Sequence, residues 1–336
     1  MTITQNENLK PYNTFGLEAK PKGIIHILHE NDIFEILYQQ LSPLKILGGG
    51  SNILLTGDVD AFILKNEIKG IEIIDEDENQ AIVQVGAGES WHQLVLWSLS
   101  HGLAGLENLS LIPGSVGAAP MQNIGAYGVE QEKSFHSLKA IHLESGVRHT
   151  FYKEECKFGY RESIFKNELK DQYFITHVRY ILKKKDFQLY LDYGAISDVL
   201  KEKGIHNPGL TDVSDAVIEI RKSKLPDPKV IGNAGSFFKN PVIDKDHYVQ
   251  LKSQFADLPS YPVDDQFVKV PAGWLIERCG LKGIKQGNIG VHKMQALVLV
   301  NYGGGHGQDI WNLALNIQQK VKEMFQIDII PEVNIW

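Results

Sequence analysis

The chain has 336 residues, 43% hydrophobic and 22% charged, a balance that fits two or three folded domains and excludes disordered and fibrous classes. A formal net charge of −7 argues against broad attraction to nucleic acid or anionic membrane, while leaving room for a local basic pocket around a phosphorylated ligand. Cys156 and Cys279 stand alone without CxxC spacing, which argues against a disulfide framework or a thiolate zinc site.

MTITQNENLK lacks the basic-then-apolar order of a signal peptide, and no apolar run approaches the roughly 20 residues that span a bilayer, so a cytoplasmic protein is expected. The first block, to about residue 70, reads as a helix over 31–41 followed by short strands at LKIL, NILL and AFILK, with GGGSN (48–52) between the first two. IEIIDEDENQAIVQVGAG reads as a hairpin, and SWHQLVLWSLSHG as a helix capped by Ser90 and stopped by Gly102. Residues 105–128, GLENLSLIPGSVGAAPMQNIGAYG, are too apolar for a floppy linker and too interrupted for a helix, and a loop of that length is usually functional. KAIHLE and FITHVRYIL read as strands, and the KKKD run after them as a solvated turn. LTDVSDAVIEIRK reads as a helix with Val213, Val217 and Ile220 on one face and Thr211 or Asp212 as cap; KLPDPK (224–229) ends it and marks a domain boundary. Beyond it, helices are expected over 247–255, 273–279 and 309–325, with strands at ALVLVN and IIPEVNI. The pattern is α+β.

Glycine, at 31 residues, is the unusual count. Successive backbone N–H groups in a glycine loop make an anion-binding concavity. Neither GGGSNI nor GAGESW satisfies GxGxxG, because Ile53 and Trp91 occupy the third glycine position, and no Walker sequence exists. GGGSN, between two apolar strands, reads as a ligand contact; GAGES reads equally as a turn or a ligand loop; NYGGGHGQD reads as a lead into the final helix. Ser236 fails the GxSxG elbow and, alone, reads as a turn serine. His26 and His29 share HxxH spacing without a third ligand, so no metal is expected. His292, FGYRES and Glu332 each have an ordinary structural reading beside the functional one.

Taken together, PYNTFG (11–16), ILGGGSNILL (46–55), GAGESWHQLV (86–95), the 105–128 stretch, FGYRESIFK (158–166), KLPDPK, GNAGSFFKNP (232–241), AGWLIERCGLKG (272–283) and PEVNIW (331–336) resemble the UDP-N-acetylenolpyruvoylglucosamine reductase (MurB) family over nearly the whole chain. The resemblance implies an FAD-binding fold of the vanillyl-alcohol-oxidase (PCMH) type in two subdomains, residues 1–70 and 71–222, plus a C-terminal α+β substrate domain, 223–336. It implies NADPH-dependent reduction, through FAD, of the enolpyruvyl ether of UDP-N-acetylglucosamine to UDP-N-acetylmuramate in peptidoglycan precursor synthesis, by a monomer. FAD contacts are implied at Gly48, Gly49, Gly50, Ser51, Asn52, Ile112, Pro113, Gly114, Gly117, Asn123, Gly125, Ala126 and Tyr127. Arg161, Ser236 and Glu332 are implied as catalytic. Tyr160, Tyr193, Arg221, Lys224, Asn240, Tyr261 and Gln295 are implied as substrate contacts.

The chemistry explains those residue types. Hydride delivery to C3 of the enolpyruvyl group builds negative charge at C2 that spreads into its carboxylate. A planar guanidinium matches two carboxylate oxygens. The reaction implied by the resemblance has Glu332 carry or share a proton there and Ser236 donate one to C2. Two departures stand out: Ala118 and Ala119 replace serines of some relatives, and Asn334 replaces a frequent basic residue. The competing readings are an oxidase of the same flavin fold with a His- or Cys-tethered cofactor, a UDP-sugar-binding module without chemistry, and, more distantly, a hydrolase.

Overall fold

The computed structural model describes residues 3–5, 7–192 and 195–336; Tyr193 lies outside them. The chain forms two compact units. One comprises Met1–Glu7, Pro21–Gly50 and Asp60–Ser223, the other Asn8–Lys20, Ser51–Val59 and Lys224–Trp336. Residues 8–20 and 51–59 thus fold with the C-terminal part of the chain, although they lie far from it in sequence.

The first unit carries two sheets. The smaller runs in the order Ile3–Thr4, Pro21–Ile27, Val59–Asn66, Leu44–Leu47, with the last two strands parallel. Helix α1 (Glu30–Tyr38) packs Ile33 and Ile36 into its core beside Ile25, Ile27 and Leu64. The helix starts where Asp32 accepts hydrogen bonds from the Leu28 and His29 amides. It stops three residues short of the expected end because Gln40 turns left-handed, φ 54°. The larger sheet is antiparallel throughout, ordered Arg148–Tyr152, Phe135–His142, Tyr173–Lys183, Gln80–Gly86, Ile71–Glu76.

Helix α2 (Trp91–Ser100) buries Trp91, Leu94 and Val95 among the apolar side chains of this sheet, and the Trp91 ring meets Tyr180 edge-on at 5.7 Å. Ser90 is its cap residue, as expected, but its side chain makes no capping bond. Helices α3 (Ile196–Glu202) and α4 (Leu210–Lys224) close the unit around Ile196, Leu200, Ala216, Val217 and Ile220. Thr211 and Asp212 lie inside α4 rather than before it. Asp212 still serves the N-terminus, since its carboxylate reaches back to the Gly209 amide at 2.8 Å and satisfies an otherwise orphaned donor.

In the second unit a four-stranded sheet runs Gly232–Asn233, Leu299–Asn301, Ile289–Val291, Lys285–Gln286. A three-stranded sheet joins Val242–Asp244, Phe267–Lys269 and Tyr261–Pro262, accompanied by α5 (Lys245–Gln254) and α6 (Ala272–Arg278). Helix α7 (Gly307–Phe325) repeats buried residues at Ile310, Leu313, Ala314, Ile317, Val321 and Phe325, one stripe of a 3.6-residue period, and ends at left-handed Gln326. Its first residue must be glycine: a Cβ on Gly307 would collide with the Leu55 carbonyl oxygen. Parallel pairing of Asn334–Ile335 with Ile53–Leu54 ties the chain terminus to the strand after GGGSN.

Candidate active site

In the first unit the glycine run and the long 105–128 segment meet. An added Cβ on Gly48 would collide with Ser115 Oγ, and one on Gly49 would lie 2.7 Å from Gly114 Cα. Glycine at 48 therefore makes room for the Ser115 side chain, and glycine at 49 lets two backbones touch. The Lys65 ammonium, from the strand Val59–Asn66, donates to the Gly48 carbonyl; burial lowers its pKa below the ordinary lysine value. That bond orients the first peptide of the run and sets a cation beside it. Ser115 Oγ is buried without a hydrogen-bond partner. An orphaned hydroxyl costs free energy unless a ligand satisfies it. Touching glycine backbones, a nearby cation and an unsatisfied hydroxyl together fit the phosphates of a dinucleotide such as FAD. Ala118, the departure noted above, faces the same spot, 3.6 Å from where a Cβ of Gly48 would be.

The 105–128 segment is ordered because GAGESWH clamps it. The Gly117 amide donates to Ala87, Val116 to Glu89, Trp91 to Gly114, and the Trp91 indole to the Leu109 carbonyl. Leu111, left-handed at φ 58°, donates its amide to His92 Nδ1 at 3.0 Å. That contact requires an unprotonated Nδ1, and burial, with Arg221 and Lys222 nearby, lowers the His92 pKa. Gly86 and Gly88 are themselves glycines because a Cβ on either would strike the backbone of residues 67–69. GAGES therefore has a shaping role: the loop holds the 105–128 segment in place.

Gly114 backs directly onto Gly49 and Gly117 onto Ala87, while Ile112 and Pro113 precede them in the chain, with Ile112 packed on the core of the larger sheet. Further along, Asn123 and Gly125 lie against FGYRES, Ala126 packs on the core of the larger sheet and Tyr127 on the core between α3 and α4. Ser163 Oγ donates to the Met121 carbonyl at 2.6 Å, Asn123 Nδ2 to Gly159 at 3.1 Å, and Arg161 Nη2 to Gly125 at 2.6 Å. Asn123, Tyr127 and Arg161 all have positive φ, 41°, 50° and 57°. Non-glycine residues held left-handed store backbone strain of the kind found at functional sites. Tyr160 places its ring 5.5 Å from the Arg161 guanidinium. Arg221, on α4, interacts with Tyr127; its Nε is buried without a hydrogen-bond partner, and burial lowers its pKa.

In the second unit Ser236 and Glu332 are brought together across 96 positions of sequence. The Glu332 amide donates to the Phe237 carbonyl at 2.8 Å, Lys239 donates to Ile330 at 2.9 Å, and Phe238 bridges Pro331 in antiparallel register. Phe237 and Phe238 are fully buried and anchor this ladder, while Ser236 stays exposed at its end. Gly235, at φ 70°, turns the chain into it, and Asn233 Oδ1 accepts the Gly235 amide at 3.0 Å. Asn52 Nδ2 donates to the Glu332 carbonyl at 3.3 Å, and Asn334 Nδ2 to the Asn52 carbonyl at 3.0 Å. Asn334, the second departure, therefore joins the terminal strand to GGGSN. Ser51 and Asn52 belong to this unit and Gly48, Gly49 and Gly50 to the other.

PYNTFG and NYGGGHGQD supply a support that the sequence did not disclose. Buried Asn13 bonds the Leu9 and Leu17 carbonyls and the Leu17 amide. Asn301 Nδ2 donates to the Phe15 carbonyl at 2.9 Å, and its Oδ1 accepts the Gly303 and Gly305 amides. A Cβ on Gly232 would collide with the Phe15 carbonyl oxygen, so this loop packs directly under the turn that presents Ser236. Among the substrate candidates, Asn240 Oδ1 accepts the Ala272 amide at 2.9 Å and so caps α6. Gln295 Oε1 approaches the Gly273 position, 3.2 Å from its ideal Cβ. Lys224 is the exposed last residue of α4 and Tyr261 is 49% exposed. No group of three or more potential metal ligands occurs among the described residues.

A family model described as UDP-N-acetylenolpyruvoylglucosamine reductase, C-terminal domain, matches residues 227–336, and one described as FAD binding domain matches residues 29–151. UDP-N-acetylenolpyruvoylglucosamine reductase of Flavobacterium johnsoniae is 51% identical over 336 residues, covering 100% of both chains. The crystal structure of the enzyme from Thermus caldophilus superimposes with TM-score 0.68 at 24% identity, over 100% of this chain and 99% of that one. P-cresol methylhydroxylase with substrate bound aligns at TM-score 0.50 and 11% identity, over 97% and 85% of the two chains. These two likenesses speak to the fold alone.

Proposed function

The chain belongs to the UDP-N-acetylenolpyruvoylglucosamine reductase family, and from that premise we propose a role for each of its site residues. The fold is the FAD-binding type shared with p-cresol methylhydroxylase, joined to the family's C-terminal domain. The activity is FAD-dependent reduction of the enolpyruvyl ether of UDP-N-acetylglucosamine to UDP-N-acetylmuramate, with NADPH as reductant, in peptidoglycan precursor synthesis. No helix among the described residues is long and apolar enough to cross a membrane. A monomer working in the cytoplasm, with flavin subdomains over 1–70 and 71–222 and a substrate domain over 223–336, completes the reading.

FAD, when bound, supplies the two-electron relay between NADPH and the substrate double bond. Gly48, Gly49, Gly50, Ser51 and Asn52 would hold its pyrophosphate, and residues 112–117 and 123–127 its ring system. Arg161 and Glu332 would bind the carboxylate into which charge develops; donors already fixed in place before reaction are usually the largest catalytic term. Ser236 would donate the proton to C2. Tyr160, Arg221, Lys224, Asn240, Tyr261 and Gln295 would bind the nucleotide substrate, with Tyr193 as a further contact.

The observation that supports this reading is the backbone ladder of 237–239 with 330–332, which joins the segment that follows Ser236 to the one that carries Glu332. The cofactor-tethering oxidase alternative finds no support at Cys156, which is buried in the core with its thiol pushed up to about 12 by desolvation, then by Glu155 and Glu154. Ser236→Ala tests the assignment by stopped-flow absorbance. Flavin reduction by NADPH should stay nearly intact, while flavin oxidation by the enolpyruvyl substrate slows by about 10²–10⁴-fold, the usual worth of general acid catalysis. Equal loss in both half-reactions would refute the proton-donor role.

A further inference from the structure

We propose that Glu130 is a positioning residue for Arg161, fixing the guanidinium in one orientation before the substrate carboxylate arrives. The proposal rests on the catalytic reading of Arg161. Glu130 and Gly125 face each other in a short hairpin, Gly125–Ala126 against Val129–Glu130. Asn123 Nδ2 donates to Glu130 Oε2 at 3.0 Å and so fixes the carboxylate. Glu130 Oε1 then lies 3.8 Å from Arg161 Nη1. Arg161 Nη2 donates to the Gly125 carbonyl at 2.6 Å, and Nη1 lies 3.4 Å from the Asn123 carbonyl. Carboxylate and carbonyls thus grip the guanidinium from one hairpin.

Gly125 makes that grip possible. A Cβ there would lie 2.7 Å from Glu130 Cγ and 3.0 Å from Arg161 Nη1, so any larger residue would push the pair apart. The pair is only partly exposed, with side-chain exposures of 19% for Arg161 and 30% for Glu130, so water screens it incompletely. Lys166 Nζ holds the Arg161 carbonyl at 3.3 Å, steadying its left-handed backbone.

The physical consequence is a separation of binding from rate. An arginine side chain has large rotamer freedom, and a catalytic group must sit within about 0.5 Å of its productive position. Removing Glu130 frees the guanidinium to wander. It also removes a negative charge near the incoming carboxylate. Rate at saturation should therefore fall while substrate affinity holds or improves, a split that general unfolding does not produce.

The test uses the FAD-loaded enzyme and both half-reactions. Glu130→Ala should slow saturating flavin oxidation by substrate about 10- to 100-fold, the scale of a 1 Å misplacement, with half-saturation unchanged or lower and flavin reduction by NADPH altered less than about threefold. Glu130→Gln, which keeps an acceptor without the charge, should recover part of the rate. The double variant Glu130→Ala/Arg161→Ala should be no slower than Arg161→Ala alone. Should Glu130→Ala fail to retain FAD, Glu130→Gln carries the same comparison. If Arg161→Ala leaves flavin oxidation by substrate unchanged, the underlying reading of Arg161 fails. If Arg161→Ala slows it but the Glu130 variants do not, or the two effects multiply, the positioning role is overturned.

Discussion

Gly49→Ala isolates the backbone contact on which the proposed cofactor cradle depends. The new methyl would sit 2.7 Å from Gly114 Cα, 3.0 Å from Gly114 C and 3.2 Å from Ser115 N. Unstrained carbon contacts lie at about 3.5–4.0 Å, so the two loops must separate by roughly 1 Å. The obstruction is backbone, not a pliable side-chain tip. Overpacking of that kind costs about 1–3 kcal/mol. Where the empty loops can part, the cost falls on the FAD-bound state, which needs both loops in place, and the dissociation constant rises about 5- to 150-fold. Where they cannot, it appears in the cofactor-free protein as a lower Tm, by about 2–4 °C per kcal/mol for a unit of this size. Titrating apoprotein with FAD by flavin fluorescence, alongside calorimetry, measures both. Gly57→Ala is the matched control, since nothing lies within 4 Å of its ideal Cβ and its φ is not positive. If Gly49→Ala keeps both FAD affinity and Tm at wild-type values, close backbone approach is not what these glycines provide.

Stability should also fall in mild acid. Burial is the first cause that lowers the pKa of His92, His136, His177 and His292 below 6.5. The fold holds them neutral and the unfolded chain takes up protons first, so their contribution is complete above 6.5 and is lost as pH drops through the lower folded values. Thermal melts from about pH 7.5 to 5.5 read this directly; His92→Gln, which keeps an acceptor for the Leu111 amide, should flatten part of the decline, and an unaltered slope would remove His92 from the account. Lys224→Ala should weaken binding of the UDP-linked substrate by about tenfold, as expected for loss of a charge-assisted phosphate contact. Calorimetric titration showing unchanged affinity would take Lys224 out of the site.

Sequence alone determined what local chemistry controls. The strand at 44–47, the 71–86 hairpin, the final helix over 309–325 and the stop at KLPDPK follow from periodicity, glycine and proline. The family resemblance rested on spaced motifs that survive without knowledge of their contacts. Strand Pro21–Ile27 went unread because PKGIIHI is buried at most of its positions and offers no alternation, and α3 because seven residues make a weak periodic signal.

Tertiary structure decided which segments each motif meets. GAGESWH reads alone as either turn or cradle; only the hydrogen bonds accepted by Ala87, Glu89 and His92 and donated by Trp91 show it as a clamp on the 105–128 segment. Ser236 and Glu332 give no local sign of each other, because a β-ladder pairs residues by fold and not by distance along the chain. The same holds for Asn301 beneath the Phe15 carbonyl and for Glu130 beside Arg161. Secondary structure is written in a few neighbouring residues, whereas a site is assembled from segments whose meeting depends on the whole chain burying its apolar surface at once.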